Sequence, residues 1–495
     1  MKAHISLDTT RSEIFNPYSL VKWALIPTAF ISANLVLFLL FVFYSVETYL
    51  LFKEIKGHYL KRPQWTSKAV LVFVISFFTT LISPFAIARF LSTSDGLSFA
   101  FADRLILLIT SLVVLLFWPI SIWLKKRVAN SARTKMNEKK GLVSIGITGS
   151  YGKSTTKEIL ASLLQEQDLV VTPGNTNTEI GVAEIVVKKI KPETKYFISE
   201  MGAYKKGEIK RITDMIKPKY GVITAISNQH LSLFGTIENL KKAKYELIES
   251  LPNGGIAFFN NDDMNCRELA VKTTNCRVIK FSASQEADYK AIGKVNELGL
   301  LEGTLITPKG SKNFTSQILG EYNLVNIAGA TAVASELGIP LEEIAERLSR
   351  VTNPKRTMES IRLSDGTLVV DDSYSGNEVG VIAAIRSIQK FFDKQKIIVM
   401  MPIIELGAES TAVHERLGEE LGKYECKIFY PQKDFVENIK KGLEKSGSDN
   451  RVTYVDSEID LVEKVKKLRG EKTLILLEGR VPRRLRESLL KDRVK

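Results

Sequence analysis

The run Gly141-Leu-Val-Ser-Ile-Gly-Ile-Thr148, followed directly by Gly149-Ser150-Tyr151-Gly152-Lys153-Ser154-Thr155-Thr156, decides the fold of this chain. Its first half is apolar and short, the pattern of a strand buried on both faces. A glycine turn follows, and the segment Thr155 to Glu166 takes up helical spacing. Strand, glycine loop and helix in that order make a phosphate cradle. Glycines let backbone N–H groups turn toward an anion, the helix N-terminus adds partial positive charge, Lys153 neutralises terminal phosphates, and the Ser154 hydroxyl can ligate magnesium. The loop departs from G-x-x-x-x-G-K-[ST], because Ile147 stands five residues before Gly152 and the motif glycine is Gly149. A bare Gly-Lys-Ser is common by chance, so the buried strand in front of it carries the weight of the assignment.

Downstream, apolar strand candidates recur at Tyr196 to Ile198, Tyr220 to Ile226, Gly255 to Phe259, Leu368 to Val370, Ile397 to Met401 and Thr473 to Leu477. Helical patterns such as Ile237 to Ser250 and Leu324 to Leu337 lie between several of them. This alternation predicts the α/β class, with a mostly parallel sheet and ligands at the C-terminal ends of its strands. The segment Lys280 to Gln317 reads as an antiparallel β insertion. Magnesium wants oxygen ligands, and Glu200 at a strand end with the Ser154 hydroxyl supplies them. His230 follows the strand Tyr220 to Ile226 on the same rim. Lys244, grouped with Lys241 and Lys242, reads by itself as a solvated helix lysine. Asn323 and Asn326 stand three apart on one helix face, with helix capping a rival role for Asn323. Asn353-Pro354-Lys355-Arg356 marks a hinge into a last domain.

Upstream the composition changes. The chain has 495 residues and a formal charge of +14, yet residues 1–140 hold seventeen Lys and Arg against seven Asp and Glu. Three uncharged runs, at about 23–46, 69–88 and 105–124, each meet the roughly 20 residues a helix needs to cross a bilayer. A basic first connection (Lys53, Lys56, Lys61, Arg62, Lys68) and Lys125-Lys126-Arg127 after the third run predict an N-out, C-in, multi-pass arrangement in the cell membrane, with everything downstream in the cytoplasm. Juxtamembrane lysines facing anionic membrane lipid then account for the surplus charge, and nucleic acid is not needed as a partner. Three scattered cysteines, Cys266, Cys276 and Cys426, exclude both a four-thiolate zinc site and a disulfide scaffold.

At the phosphate loop, T-G-x-x-G-K-[ST]-[ST] resembles the ATP loop of the Mur ligase family, the ATP-dependent amide ligases that build the peptidoglycan stem peptide. Further segments follow in that family's order. Thr172-Pro-Gly174-Asn175-Thr-Asn177-Thr178-Glu-Ile180-Gly181-Val182 is similar to the T-x-G-N-x-N-N-x-I-G-V of its D-alanyl-D-alanine-adding branch, with Thr178 in place of an Asn. Glu200-Met201-Gly202-Ala203, Gly207-Glu208-Ile209, His230-Leu231 through Glu238, Ala243-Lys244-Tyr-Glu246-Leu247, Asn323-Leu-Val-Asn326, Asp371-Asp372-Ser373-Tyr374, Glu405-Leu406-Gly407 and His414 resemble the same branch.

The resemblance implies ATP and Mg2+ as cofactors. It implies an ATP loop made of Thr148, Gly149, Ser150, Tyr151, Gly152, Lys153, Ser154 and Thr155, with Asn323 and Asn326 on the nucleotide, Arg356 on the phosphates and Asp372 near the ribose. It further implies metal ligation by Ser154, Glu200, His230 and a carbamylated Lys244, and substrate contacts from Asn175, Asn177, Thr178, Asp371, Ser373, Tyr374 and Asn377. Lys153, Lys244, His230 and Arg356 would carry the catalysis.

Departures gather in the last domain, which receives the amine in this family. Lys355 stands where a Gly is common, Ser375-Gly376-Asn377-Glu378 for N-A-N-P, Met401-Pro402-Ile403-Ile404-Glu405 for G-D-M-x-E, and Glu478-Gly479-Arg480 for K-G-S, while in the ATPase domain Tyr322 stands where a His is usual.

The expected architecture is therefore a membrane anchor over residues 1–140, a P-loop ATPase domain over 141–352 and a smaller Rossmann-like α/β domain over 353–495. The expected function is an ADP-forming ligase joining D-alanyl-D-alanine or a similar amine to a muropeptide carboxylate, UDP-linked or lipid-linked. The alternative is a ligase of another polymer, similar to a poly-γ-glutamate synthase. A transporter ATPase is disfavoured by the lack of a hydrophobic-Asp-Glu strand, and a catalytically weak scaffold is suggested only by the C-terminal departures.

Overall fold

The computed structural model describes residues 66–495 apart from 92–94, 166, 175, 228–230, 297–299, 375, 405, 449–451 and 495, together with scattered helical positions between 35 and 49. The chain divides into two compact units, Met1–Lys126 and Arg127–Lys495.

In the first unit a helix Ser67–Leu91 carries Pro84 inside it, and a second helix, Asp95–Glu138, begins there and carries Pro119. Lys68 Nζ donates to Ser121 Oγ between them at 2.8 Å. Two of the three expected membrane spans fall on described helices: among the described residues only Ser67–Phe90 and Leu108–Glu138 are long and apolar enough to cross a bilayer. Most of the run 23–46 lies outside the described residues. The run 105–124 is not a separate element. It is the middle of a 44-residue helix that continues through Lys125-Lys126-Arg127, because helical hydrogen bonding is indifferent to the switch from apolar to charged side chains. In the second unit the end of this helix is part of the globular fold: Ala132 and Met136 are buried with Val182, Val186 and Ile190, and Lys135 Nζ donates to the Val187 carbonyl at 2.8 Å.

The second unit holds two sheets. The first has nine strands in the order β2-β3-β1-β4-β5-β6-β7-β8-β9, built from β1 (Val143–Thr148), β2 (Leu169–Val171), β3 (Tyr196–Glu200), β4 (Tyr220–Ile223), β5 (Ile256–Asn260), β6 (Arg277–Ser282), β7 (Tyr289–Val295), β8 (Leu301–Thr307) and β9 (Gly310–Ser316). Pairing is parallel from β2 to β7 and antiparallel through β8 and β9, so the insertion read from Lys280 to Gln317 is an antiparallel extension of the same sheet.

Both faces of this sheet are covered, which is why its strands read as continuous apolar runs. Neighbouring residues divide between the two sides: Ile198, Val222 and Phe258 pack with Leu160, Ile327 and Val333, whereas Phe197, Ile223 and Phe259 pack with Ile212, Leu240 and Leu247. The helix Leu324–Glu336 is buried along almost its whole length. Its small residues permit this: Gly329 lies so close to the Phe281 ring that a Cβ would sit 3.0 Å from it.

The second sheet has the order β10-β11-β15-β12-β13-β14, with β10 (Glu359–Arg362), β11 (Leu368–Asp372), β12 (Gln395–Met400), β13 (Lys427–Tyr430), β14 (Val452–Tyr454) and β15 (Thr473–Glu478). Only β10 runs antiparallel. Val370, Ile398 and Leu476 face one layer of helices, and Val369, Ile397 and Leu477 face the other. In one layer the helices Ser410–Leu421 and Val436–Lys445 touch through Gly418 and Gly442, where an added Cβ on Gly442 would meet the Glu415 carbonyl and lie 2.7 Å from Glu419 N. Gly442→Ala should therefore lower the unfolding free energy by about 1–3 kcal/mol through overpacking, measured by urea denaturation of the full chain. A variant as stable as the parent would mean that the two helices separate freely.

Candidate active site

Strand β1 lies between β3 and β4, and the chain leaves it first toward β2 and β3 and only later crosses to β4. A parallel sheet opens a crevice at such a reversal. In register, Ile147 pairs with Glu200 and Thr148 with Ile223, so the phosphate loop, Glu200 and Thr224 share one rim.

The loop has no room for side chains at its glycines. Gly149 has φ +155°, and a Cβ there would run into Thr224 Oγ1 and approach Ala225 N to 3.0 Å. Gly152, at φ +78°, stands at the N-cap of the helix Lys153–Leu163, and its Cβ would lie 2.5 Å from Asn326 Oδ1. Hydrogen bonds fix the loop on both flanks. Ser150 N–H donates to the Ala225 carbonyl (2.7 Å), Ser227 N–H donates to Ser150 Oγ (3.0 Å), Thr148 Oγ1 donates to the Met201 carbonyl (2.9 Å), and Thr224 Oγ1 donates to the Tyr151 carbonyl. Lys153 Nζ folds over the loop and donates to the carbonyls of Gly149 (2.8 Å) and Ser150 (3.1 Å). Burial holds its ammonium below the ordinary lysine range, opposed by the charge of Glu200.

Glu200 is the hub. Its Oε2 accepts from Ser154 Oγ at 2.8 Å, its Oε1 from Asn177 Nδ2 at 3.1 Å, and its own N–H donates to Thr172 Oγ1 at 3.0 Å. Lys157, wholly buried, lies 3.4 Å from Glu200 Oε2 and donates to the Gly174 carbonyl at 2.6 Å. Sequence reading passed over Lys157. The available signal was a lysine one turn after Lys153, on a face shared with Thr156 and Leu160. Thr156 Oγ1 donates to Asn326 Oδ1 (3.2 Å), Asn326 Nδ2 to Asn323 Oδ1 (2.8 Å), and Asn323 Nδ2 to the Leu319 carbonyl (2.7 Å). The Asn323 side chain makes no capping bond to its helix, so the pair of asparagines is tied to the loop helix instead.

Lys244 is not a solvated helix lysine. It is 4% exposed, and burial, with the charge of Lys153 adding, holds its pKa well below the ordinary lysine value. Among the described residues no acceptor meets its Nζ. Its neighbours differ: Lys241 is ion-paired with Glu268 at 2.7 Å, and Lys242 is exposed. His230 and Asn175 lie outside the described residues.

The second sheet contributes the remaining residues. Asp371 is held by Arg486 Nε at 2.6 Å, and Ser373 N–H donates to its Oδ1 at 3.1 Å. Arg356, at φ +64°, donates from Nη2 to the Ser373 carbonyl (2.6 Å) and from Nε to Ser373 Oγ (3.2 Å). Burial pushes the Asp372 carboxyl up to about 7, against the Met358 N–H that it accepts and with the charge of Asp371 adding. The Tyr374 hydroxyl is pushed up to about 12, first by burial and then by the charge of Glu200. Two expected substrate contacts are already engaged as helix caps: Thr178 accepts from Gly181 N–H at 3.4 Å, and Asn377 from Gly380 N–H at 3.0 Å.

A glycine cradle that excludes any Cβ, a lysine over it, and a hydroxyl–carboxylate pair at the strand ends fit a nucleoside triphosphate with its metal ion. The fold and site define a P-loop ATP-using enzyme of two α/β domains. A family model for the Mur ligase middle domain matches residues 147–334, and one for the Mur ligase, glutamate ligase domain, matches residues 356–481. The chain belongs to the Mur ligase family: it is an ATP-dependent, ADP-forming amide ligase that uses ATP with magnesium.

Among its relatives, UDP-N-acetylmuramoyl-tripeptide–D-alanyl-D-alanine ligase of Haemophilus influenzae is 26% identical over 375 residues, covering 74% of this chain and 80% of the relative. The ligase of the same name from Escherichia coli is 31% identical over 278 residues, covering 56% and 61%. The crystal structure of MurF from Acinetobacter baumannii superimposes with a TM-score of 0.66 at 25% identity, over 74% of this chain and 80% of that one. MurF ligase from Thermotoga maritima in complex with ADP shares the fold, with a TM-score of 0.65 at 24% identity over 74% and 84%.

These relatives correct the expected location. They are named for a UDP-linked acceptor, a water-soluble nucleotide sugar. The multi-pass cell-membrane assignment does not stand.

Removing Lys157 should expose what it does for Glu200. Lys157→Met leaves a buried carboxylate short of its cation and should cost about 3–5 kcal/mol of stability, while Lys157→Met with Glu200→Gln should recover much of that loss. Additive costs in this double-mutant cycle, read from denaturant midpoints, would dissolve the pairing.

Proposed function

We propose that this ligase joins D-alanyl-D-alanine, or a closely similar amine, to the free carboxylate of a UDP-linked muramoyl peptide. What carries the reading is the similarity to D-alanyl-D-alanine ligases over as much as 80% of their length, running through both sheets that meet at the site. We read residues 141–352 as the ATP-binding domain and 353–495 as the domain that brings the amine.

The substrate carboxylate attacks the terminal phosphorus of ATP, giving an acyl phosphate and ADP, and the amine then attacks the acyl carbon with loss of phosphate. Little covalent chemistry falls to side chains. Their work is positioning and charge neutralisation. In this reading Lys153 leaves the carbonyls of its own loop for the phosphates, and Arg356 approaches from the second sheet. Asn323, Asn326 and Asp372 contact the nucleoside, and Asn177, Asp371, Ser373 and Tyr374 frame the acceptor. Ser154 and Glu200, with His230 and Lys244, would hold magnesium, which when bound screens the phosphate charges. Lys244 suits a metal site only as its carbamate. Its burial favours the neutral amine that reacts with dissolved CO2, and the product is anionic. Closure of the two domains would keep water from the acyl phosphate.

The reading is tested by ADP release from the purified full chain supplied with UDP-N-acetylmuramoyl-tripeptide, with and without D-alanyl-D-alanine. Lys153→Ala should abolish turnover in a protein that still folds, and parent-like release from it would sink the ATP-loop assignment.

Lys244→Ala should cost on the order of 10²- to 10³-fold in kcat, with part of the activity regained by short carboxylic acids. Exposed Lys242→Ala should be nearly silent. Equal small effects at both positions would return Lys244 to an ordinary buried lysine.

A further inference from the structure

The helix Ile237–Glu249 lies against the first sheet where two strands carry glycine. A Cβ on Gly146 of β1 would stand 2.6 Å from Leu247 Cδ1 and 2.8 Å from Met201 Cε, and one on Gly221 of β4 would stand 3.2 Å from Leu247 Cγ. Bare backbone at these two positions is what lets the helix seat so closely. Residues two apart on a helix point to different sides, and this helix uses both. Lys244 lies within electrostatic reach of Lys153. Glu246, 5% exposed, turns instead to the helix Glu208–Ile216. Its Oε1 accepts from Gly207 N–H at 2.6 Å and its Oε2 from Lys210 N–H at 3.0 Å. Those amides belong to the N-cap and the first turn of a helix that has no side-chain cap of its own. Among the described residues no Lys or Arg comes within ion-pair distance of Glu246, so two N–H groups and the positive end of the helix compensate its charge.

Gly207 is the far end of the loop that starts from Glu200. At the near end Met201 N–H donates to the Ile147 carbonyl (2.8 Å) and Gly202 N–H to the Asn177 carbonyl (2.9 Å). The Asn177 side chain crosses Gly202, where a Cβ would lie 2.9 Å from its Cγ, and reaches Glu200 Oε1. Between the two ends Tyr204, Lys205 and Lys206 are exposed, so packing does little to hold the middle of the loop. We propose that Glu246 is a positioning residue of this ligase. Its carboxylate staples the loop Met201–Gly207 to the helix that carries Lys244, and Glu200 and Lys244 thereby keep one fixed separation. The role rests on the reading of both as magnesium ligands and extends it to the group that sets their distance. Ligands from separate segments serve one ion only while the segments are held to a fraction of an ångström. A carboxylate bridging two backbone amides is a short, directional tie of that kind. Glu246→Gln would keep one acceptor oxygen but turn an amide nitrogen toward the other N–H, so that a donor faces a donor.

The test is binding of the non-hydrolysable ATP analogue AMP-PNP to the full chain in bicarbonate buffer, followed by calorimetry at graded magnesium, with thermal melts alongside. In Glu246→Gln the magnesium concentration at half-maximal binding should rise about tenfold, while the affinity for the nucleotide without magnesium stays at the parent value. Glu246→Asp keeps the charge but falls short of one amide. It should shift the midpoint in the same direction by less, and it decides the matter if Glu246→Gln does not fold. In a Lys244→Ala background Glu246→Gln should move the midpoint by no more than about twofold, because the distance it sets no longer serves a ligand. An unchanged midpoint in folded Glu246→Gln, even with a lowered melting temperature, would overturn the proposal and leave Glu246 a helix cap. A tenfold shift that persists in the Lys244→Ala background would overturn it too. If Lys244→Ala alone leaves the midpoint at the parent value, the metal reading of Lys244 falls, and the staple stands only if Glu246→Gln is silent in a Glu200→Gln background. A parent whose binding ignores magnesium would remove the metal reading and the staple together.

Discussion

The site depends on one buried carboxylate. Glu200 ends β3 beside the phosphate loop and gathers Ser154 from the loop helix, Asn177 from the following loop, Lys157 from beneath and, through its backbone, Thr172. A carboxylate out of water is costly unless each of its lone pairs is met. Here the donors come from two segments, the loop helix and the loop after β2, that would otherwise be independent, so the need to satisfy Glu200 fixes their mutual positions. Lys157 extends the network to the Gly174 carbonyl. The loop before Asn177 is thereby locked to the helix that presents Lys153.

A second layer of the same logic joins the nucleotide side of the first sheet to the crossover beyond it. The Thr156–Asn326–Asn323–Leu319 chain of hydrogen bonds runs from the loop helix to the start of a helix built almost wholly of small and apolar residues. Side chains that small let the two helices approach closely, and the approach is what brings Asn326 Oδ1 within 2.5 Å of where a Gly152 Cβ would stand. The glycines of the loop thus serve two constraints at once: a backbone conformation closed to other residues, and the nearness of Thr224 and Asn326.

The second sheet presents a different electrostatic balance. Asp371 is neutralised by Arg486, and Glu420 is held near 2 by Arg386 and Lys423, but Asp372 and Glu478 have no such partners among the described residues. His414 is a structural element here. Its Nε2 accepts from Ile403 N–H at 3.1 Å, its Nδ1 meets the Ser410 carbonyl at 2.6 Å, and its ring stacks on Phe435. Burial pushes its imidazole below the ordinary histidine range, and its two bonds fix the loop that follows β12.

The sequence by itself determined the strand–loop–helix of the phosphate cradle, the alternating α/β class, the antiparallel insertion and the family, because each is written in local signals: apolar runs of strand length, glycines where φ is positive, and motifs in fixed order. Ser154 with Glu200 was legible for the same reason, since both sit where a parallel sheet presents its ligands. The tertiary structure alone decided which polar groups are taken out of water. Lys157 became a buried partner of Glu200, Lys244 passed from an apparent charge run to the interior, Thr178 and Asn377 were engaged as caps, and Glu478 was left beside Asp372 without a donor. The helix Asp95–Glu138 likewise ran on through its charged stretch to bury Ala132 and Met136. Burial is set by segments distant in the chain that pack on a residue, and no local pattern encodes them, so charge and periodicity name a side chain's chemistry while packing decides whether it faces solvent, a partner or a substrate.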